Sequence, residues 1–269
     1  MGRRNHVVSR ILACSAVLTD ALPHSKTFPP HSIGGAETTL GAMTWWALAM
    51  LAYPETQARA QAELDAVVGL ARPPTFADYP HLPYIRAMVK ETLRWALVAP
   101  LGLPHRTNED DWYEGMFIPK GTICLPNVWL MNRDPEIYGE NAAQFDPARH
   151  LDANGYIAPD PDTKDEGHVS YGFGRRECVG RHVANNSLFI NIAVVLWAMK
   201  MERKKDASGK LLPLDVDGFV DHGIVVSAQL TTCPSRSMLT LELLQTSGPL
   251  RMRDLASFPR GSCSACTGM

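Results

Sequence analysis

The residues best suited to chemistry lie in one stretch, Tyr171-Gly172-Phe173-Gly174-Arg175-Arg176-Glu177-Cys178-Val179-Gly180. A lone cysteine ahead of an apolar helical run is usually a buried free thiol. Three features point instead to a thiolate presented to something bulky and flat. Gly172, Gly174 and Gly180 let the backbone pass close to such a group. Arg175 and Arg176 favour the deprotonated sulfur, and so does the dipole of the helix that follows. A thiolate in a glycine-rich loop, with cations at hand for carboxylates, is what an axial haem ligand requires.

Four other constellations accompany this loop: Gly34-Gly35-Ala36-Glu37-Thr38-Thr39, Glu91-Thr92-Leu93-Arg94, Pro104-His105-Arg106 and Phe145-Asp146-Pro147-Ala148-Arg149. Each has an ordinary explanation when taken alone. The first could be a helix start capped by threonine. The second could be a solvent-facing i,i+3 ion pair worth little. A loop histidine such as His105 fills many roles.

Together, and in this order, these motifs resemble the cytochrome P450 family of haem-thiolate monooxygenases, and most of all its fungal microsomal members. The cysteine loop matches the family pattern F-x-x-G-x-R-x-C-x-G except that Tyr171 replaces phenylalanine, so its hydroxyl needs a partner. Val179 stands where proline is frequent. The resemblance implies heme b, with Cys178 as the ligand of its iron and Tyr171, Gly174 and Gly180 shaping the loop against it. Arg176 and His105, with Arg106 in reserve, would meet the haem propionates. Gly35 would leave room for dioxygen, Thr38 would hydrogen-bond it, and Glu37 would relay protons from solvent. Glu91, Arg94 and Arg149 would form a structural network without a chemical role. Val98, Ala99 and Leu101 would lie in a strand that contacts an apolar substrate. Electrons would come from NADPH through a partner reductase.

The elements that must position these residues follow from composition and periodicity. Apolar residues make up 45% and charged residues 20% of the 269 residues, the profile of a globular chain with a core. Lys and Arg (26) nearly balance Asp and Glu (28), which excludes a nucleic-acid partner recruited by bulk charge. The expected fold is mainly α with small β-sheets, the C-terminal part of the P450 fold. Helices are expected over Gly34–Tyr53, Glu55–Val68, Leu82–Leu97 and Val179–Lys200. A strand pair and turn is expected within Gly115–Gly121, a hairpin over Leu212–Leu230, and a long irregular stretch over Asp134–Gly167.

Residues 1–33 read as an unmatched leader, 34–230 as the haem-binding part, and 231–269 as an unmatched, disordered tail. The leader weakly resembles a secretory signal, without a clear cleavage site. The six scattered cysteines suggest a reducing compartment. Cys263-Ser-Ala-Cys266 lacks the second ligand pair of a zinc site. Intact family members sit at the endoplasmic reticulum membrane. No anchor is visible here, and the uncharged runs are too short or too polar to span, which suggests a cytoplasmic or peripheral chain.

Family members are roughly twice this long, and residues 1–33 hold no counterpart of the early helices or their haem-binding W-x-x-x-R. A truncated chain is therefore expected, with apolar faces around Trp45, Trp46 and Leu48 left open. The leading expectation is a monooxygenase. The alternative is a non-catalytic fragment that binds haem weakly or not at all.

Overall fold

Proline placement divides the first third of the chain into helices. The structure is a computed structural model that describes residues 30–221, 226–229, 231–233, 236–237 and 239–243. Helix α1 (Pro30–Ala52) ends because Tyr53 precedes a proline and leaves the helical region, at φ −127° and ψ 67°. Pro54 then opens α2 (Pro54–Val67) at a position where its missing N–H is no loss. Gly69, at φ +68°, ends α2 by donating its N–H to the Leu64 carbonyl at 3.1 Å. Helix α3 (Pro83–Trp95) takes its N-terminal cap from α2, since Glu63 accepts the Tyr84 and Ile85 N–H groups at 2.8 and 3.0 Å. The last long helix, α4 (Arg181–Ala198), follows Gly180.

These four helices pack mutually around one core. Trp95 sits at its centre, edge-on to Trp45, Tyr53 and Phe145 with ring centroids 6.4, 5.9 and 5.6 Å away. Trp45, Trp46 and Leu48 are all buried, which overturns the expectation that they form an open apolar face. Leu82, Met88 and the inner side of α4 cover that side of α1 instead. Trp46 even finds a partner for its indole N–H in the Met88 sulfur, at 3.2 Å.

The strands form two-stranded antiparallel pairs. They are β1 (His105–Arg106) with β4 (Ile123–Cys124), β2 (Asp111–Tyr113) with β3 (Met116–Ile118), β6 (Phe219–Asp221) with β7 (Val226–Ala228), and β8 (Thr231–Cys233) with β9 (Arg236–Ser237). The expected turn within 115–121 actually falls earlier, at Glu114 and Gly115, both with positive φ. The expectation of a patternless tail from Thr231 also fails over part of its length. Strand β10 (Leu239–Leu243) pairs with β5 (Met199–Arg203), matching Leu243 to Met199 and Leu239 to Arg203. The physical reason is an edge to fill: β5 leaves α4 with unpaired backbone groups that another strand can satisfy. Residues 1–29 and 244–269, including the Cys263 and Cys266 pair, lie outside the described residues. Among the described residues, no helix is long and apolar enough to cross a membrane.

Glu91 and Arg94 are not a surface pair: both side chains are fully buried. Arg94 donates from Nη2 and Nε to the two Glu91 oxygens at 2.7 and 2.8 Å. Its remaining donors reach the carbonyls of Asn132, Ala142 and Gln144. Arg149 Nε reaches Glu91 Oε1 at 3.1 Å, and His150 Nε2 stands 3.0 Å from Oε2. Removing one partner of such a pair leaves an uncompensated buried charge. Arg94→Ala should therefore lower unfolding free energy by about 3–5 kcal/mol, read as a collapse of the denaturant midpoint. Arg72→Ala, which breaks a half-exposed pair with Asp78, should cost much less.

Candidate functional site at the cysteine loop

The cysteine loop hangs from the end of α3 by polar side chains. Asn132 Oδ1 accepts the Val169 N–H at 2.9 Å, and its amide donates to Ser170 Oγ at 2.9 Å. Ser170 Oγ in turn donates to the Leu93 carbonyl at 2.5 Å. From there the chain turns through Gly172 (φ +78°) and Gly174 (φ +59°), conformations that favour glycine. The Cys178 N–H donates back to the Tyr171 carbonyl at 2.8 Å. Gly180 is the N-cap of α4, so the thiol sits two residues ahead of a helix N-terminus.

The sulfur-bearing residue is exposed. Val179 beside it is 98% exposed, and Phe173 and Val183 are exposed as well. A Cβ built on Gly172, Gly174, Gly34 or Gly35 would meet nothing within 4 Å. Arg175 and Arg176 form no ion pair among the described residues. Glu177, in contrast, is held by Lys164 at 2.5 Å and Arg181 at 2.7 Å. The hydrogen bond from Lys164 keeps its carboxyl below the usual carboxylate range.

The Gly34–Thr39 motif lies inside α1 rather than at its start. Thr38 donates its hydroxyl to the Gly34 carbonyl at 2.6 Å, and Thr39 does the same to Gly35 at 3.1 Å. Both threonines are thus back-bonded within the helix, and Glu37 is exposed. His105 and Arg106 alternate across β1, so they address opposite faces. The Arg106 guanidinium lies over the turn at Gly121, 3.2 Å from where a Cβ would be. That leaves His105 on the other face, opposite Cys124 in the ladder, with no hydrogen bond to its ring among the described residues.

Val98, Ala99 and Leu101 do not form the expected strand. Gly102, at φ +56°, donates its N–H to the Ala99 carbonyl at 3.0 Å, so the segment closes as a turn. Pro100 lacks the donor that a ladder there would need. Val98 is anchored nonetheless, since its carbonyl accepts the Val226 N–H and its side chain abuts Gly41 of α1.

Four residues that the motifs do not name stand close to the loop. The Tyr171 hydroxyl donates to Asn185 Oδ1 at 2.6 Å, and the Asn185 amide donates to Glu166. His150 joins Glu91, and His168 packs 5.2 Å from the Tyr171 ring, centroid to centroid. Asn185 is one of three asparagines, with Asn186 and Asn191, in a largely apolar run, and nothing in the sequence sets it apart from the other two. His150 directly follows a motif arginine. Nothing local marks His168 as buried.

With this geometry in place, comparison with known proteins is decisive on class. The family model "Cytochrome P450" matches residues 30–217. A cytochrome P450 monooxygenase of Armillaria gallica is 63% identical over 219 residues, covering 78% of this chain and 42% of its own length. A second from that fungus is 62% identical, covering 71% of this chain and 37% of its own length. Cytochrome P450 monooxygenase 58 of Postia placenta is 53% identical over 200 residues, with 74% and 38% coverage. The chain belongs to the cytochrome P450 family, a class of haem-dependent monooxygenases. It spans about two fifths of the length of these fungal relatives.

Burial pushes the His168 pKa down to about 3, because its ring is enclosed and the nearby cationic groups repel a second proton. Its Nδ1 accepts the Ser170 N–H at 3.2 Å, so the buried Nε2 holds the proton without a partner. A histidine with a folded pKa below 6.5 contributes stability that is complete above 6.5 and lost as pH falls toward 3. Burial moves His150 in the same direction. His168→Asn, which keeps an acceptor for Ser170, should cut the loss of melting temperature between pH 6.5 and pH 4.5 by about half.

Proposed function

We propose that this chain provides the cysteine-ligand side of a haem-dependent monooxygenase that inserts one atom of dioxygen into an apolar organic substrate. The observation that carries this reading is an exposed thiol in an open glycine loop, two residues ahead of a helix N-terminus and preceded by two arginines that form no ion pair among the described residues. The residues present fit heme b. Cys178 offers a soft sulfur ligand. The empty approaches over Gly34, Gly35, Gly172 and Gly174 leave room for a flat group. Arg176 and His105, which form no ion pair or side-chain hydrogen bond among the described residues, would meet its two carboxylates, with Arg106 in reserve beside the Gly121 turn.

Haem, when bound, supplies the activation of dioxygen and the transfer of one oxygen atom. The chain's own residues do the rest. Cys178 Sγ would hold the iron, offered from a loop that stands two residues ahead of the N-terminus of α4. Thr38, on the third turn of α1, gives its proton to the Gly34 carbonyl and keeps its oxygen as an acceptor, while Gly35 leaves the approach clear. Glu37, exposed on the same helix, exchanges protons with solvent and passes them toward Thr38. Val98 and Leu101 offer apolar contact to a substrate. Electrons come from an NADPH-dependent reductase, met at the endoplasmic reticulum surface.

A second reading, weak haem uptake without turnover, is favoured by the uncovered apolar side chains Val179, Val183, Leu101 and Leu103, because chemistry of this kind needs water excluded. One titration separates the two. Purified chain reconstituted with haem, reduced and exposed to carbon monoxide should show the red-shifted thiolate band, and Cys178→Ala should abolish it. Arg176→Ala should weaken haem uptake about tenfold, consistent with losing a charge-assisted bond. A wild-type chain that never gives the band overturns the proposal. A band without substrate oxidation when reductase and NADPH are added establishes the second reading.

A further inference from the structure

Where the family pattern carries phenylalanine, Tyr171 adds a hydroxyl, and the structure shows what that hydroxyl holds. It donates to Asn185 Oδ1 at 2.6 Å. Asn185 lies on the second turn of α4, and its Nδ2 donates to Glu166 Oε2 at 2.9 Å. The other Glu166 oxygen faces Arg181 Nε at 3.8 Å. Arg181 binds Glu177 at 2.7 Å, and Glu177 binds Lys164. Side chains of the irregular segment and of α4 thus interlock beside the cysteine loop, while Cys178 itself stays exposed. Tyr171 and Asn185 are both half-buried, where a hydrogen bond gains over one in open solvent.

The roles within this relay are fixed by chemistry. Burial pushes the Tyr171 phenol up, with Glu166 and Cys178 adding to the effect, so it remains a donor. A carboxylate such as Glu166 can only accept. Asn185 accepts from the phenol through its Oδ1 and donates to the carboxylate through its Nδ2, and so joins the two. Directly behind the phenol, the Tyr171 carbonyl accepts the Cys178 N–H. Val179 adds a reason for such a clasp. Without a proline ring after the cysteine, the backbone φ there is not locked, and a restraint from elsewhere is required.

We propose that Asn185 is a positioning residue for the cysteine ligand. Clasped between Glu166 and the Tyr171 hydroxyl, it fixes the tyrosine, and the tyrosine's carbonyl fixes the Cys178 backbone that aims the sulfur. This rests on Cys178 being the haem ligand, yet the clasp itself is measurable without haem.

In the haem-free full chain, amide hydrogen exchange at Cys178 should quicken about five- to tenfold in Asn185→Leu, as one lost hydrogen bond implies. Tyr171→Phe should give the same gain while keeping the family's usual residue, so the fold survives even if the leucine variant misfolds. The double variant should be no faster than either single one. Asn185→Asp alone sets a carboxylate against Glu166 and should also quicken exchange. Asn185→Asp with Glu166→Gln keeps the bond from the Tyr171 hydroxyl and restores the bond between 185 and 166 with donor and acceptor exchanged, and should return the rate to the wild-type value. Unchanged exchange in Tyr171→Phe, additive single variants or failure of the exchanged pair would each overturn the clasp. After haem addition, the share of thiolate-type carbon monoxide complex should fall and recover in the same order. If no variant, wild type included, takes up haem, the ligand reading fails while the exchange data still decide the clasp. If haem binds and that share stays constant while exchange changes, the clasp exists but does not position the ligand.

Discussion

Glu91 carries a full charge with no solvent contact, and such a charge persists in a protein interior only when its lone pairs are met by donors. Arg94 supplies two, and the Asp146 N–H, Arg149 and His150 supply the others. Burial would drive this carboxyl upward, but the hydrogen bonds from Arg94 and His150 outweigh it and hold the group at about 2. The same guanidinium binds the Asn132 carbonyl, and Asn132 holds Val169 and Ser170. A continuous run of polar contacts therefore leads from the buried carboxylate to the loop that carries Cys178. The loop is placed by electrostatics inside the core, although its own face is open.

That asymmetry runs through the molecule. On one side, α1 to α4 enclose aromatic rings and satisfied polar groups. Gln57, for example, both donates to and accepts from the Met201 backbone, at 2.9 and 2.8 Å. On the other, glycines over empty space, unpaired arginines and exposed apolar side chains gather near the thiol. A densely hydrogen-bonded interior thus supports an uncovered surface, the arrangement that the proposed haem site would need.

Much of this was legible from residues alone where the chemistry demands particular types. The thiol, its glycines and arginines, the threonine motif and the Glu91–Arg94 spacing each constrain sequence locally. Some helix limits were legible too, because Pro54 and Gly69 act through steric rules that need no knowledge of the rest of the chain, although α1 begins at Pro30, four residues before the expected Gly34. What stayed hidden depends on partners distant in sequence. Trp45 and Trp46 could be placed inside only by knowing that α3 and α4 cover them. Strand β10 owes its structure to the open edge of β5 rather than to its own pattern. The turn at Ala99–Gly102 and the Asn185 clasp are likewise set by neighbours, and Val98 was misread because an apolar run looks the same in either setting.

The bond between Gln57 and Met201 joins residues 144 positions apart. It couples α2 to a strand that emerges from the ribosome long after it. Until that strand is made, neither the Gln57 amide nor the apolar stripe of α1 and α2 has its final partner, and both must wait in a half-assembled chain. The interval is a window for aggregation set by topology alone. Slowing translation just before Met199 would lengthen it, without altering a single contact of the finished protein.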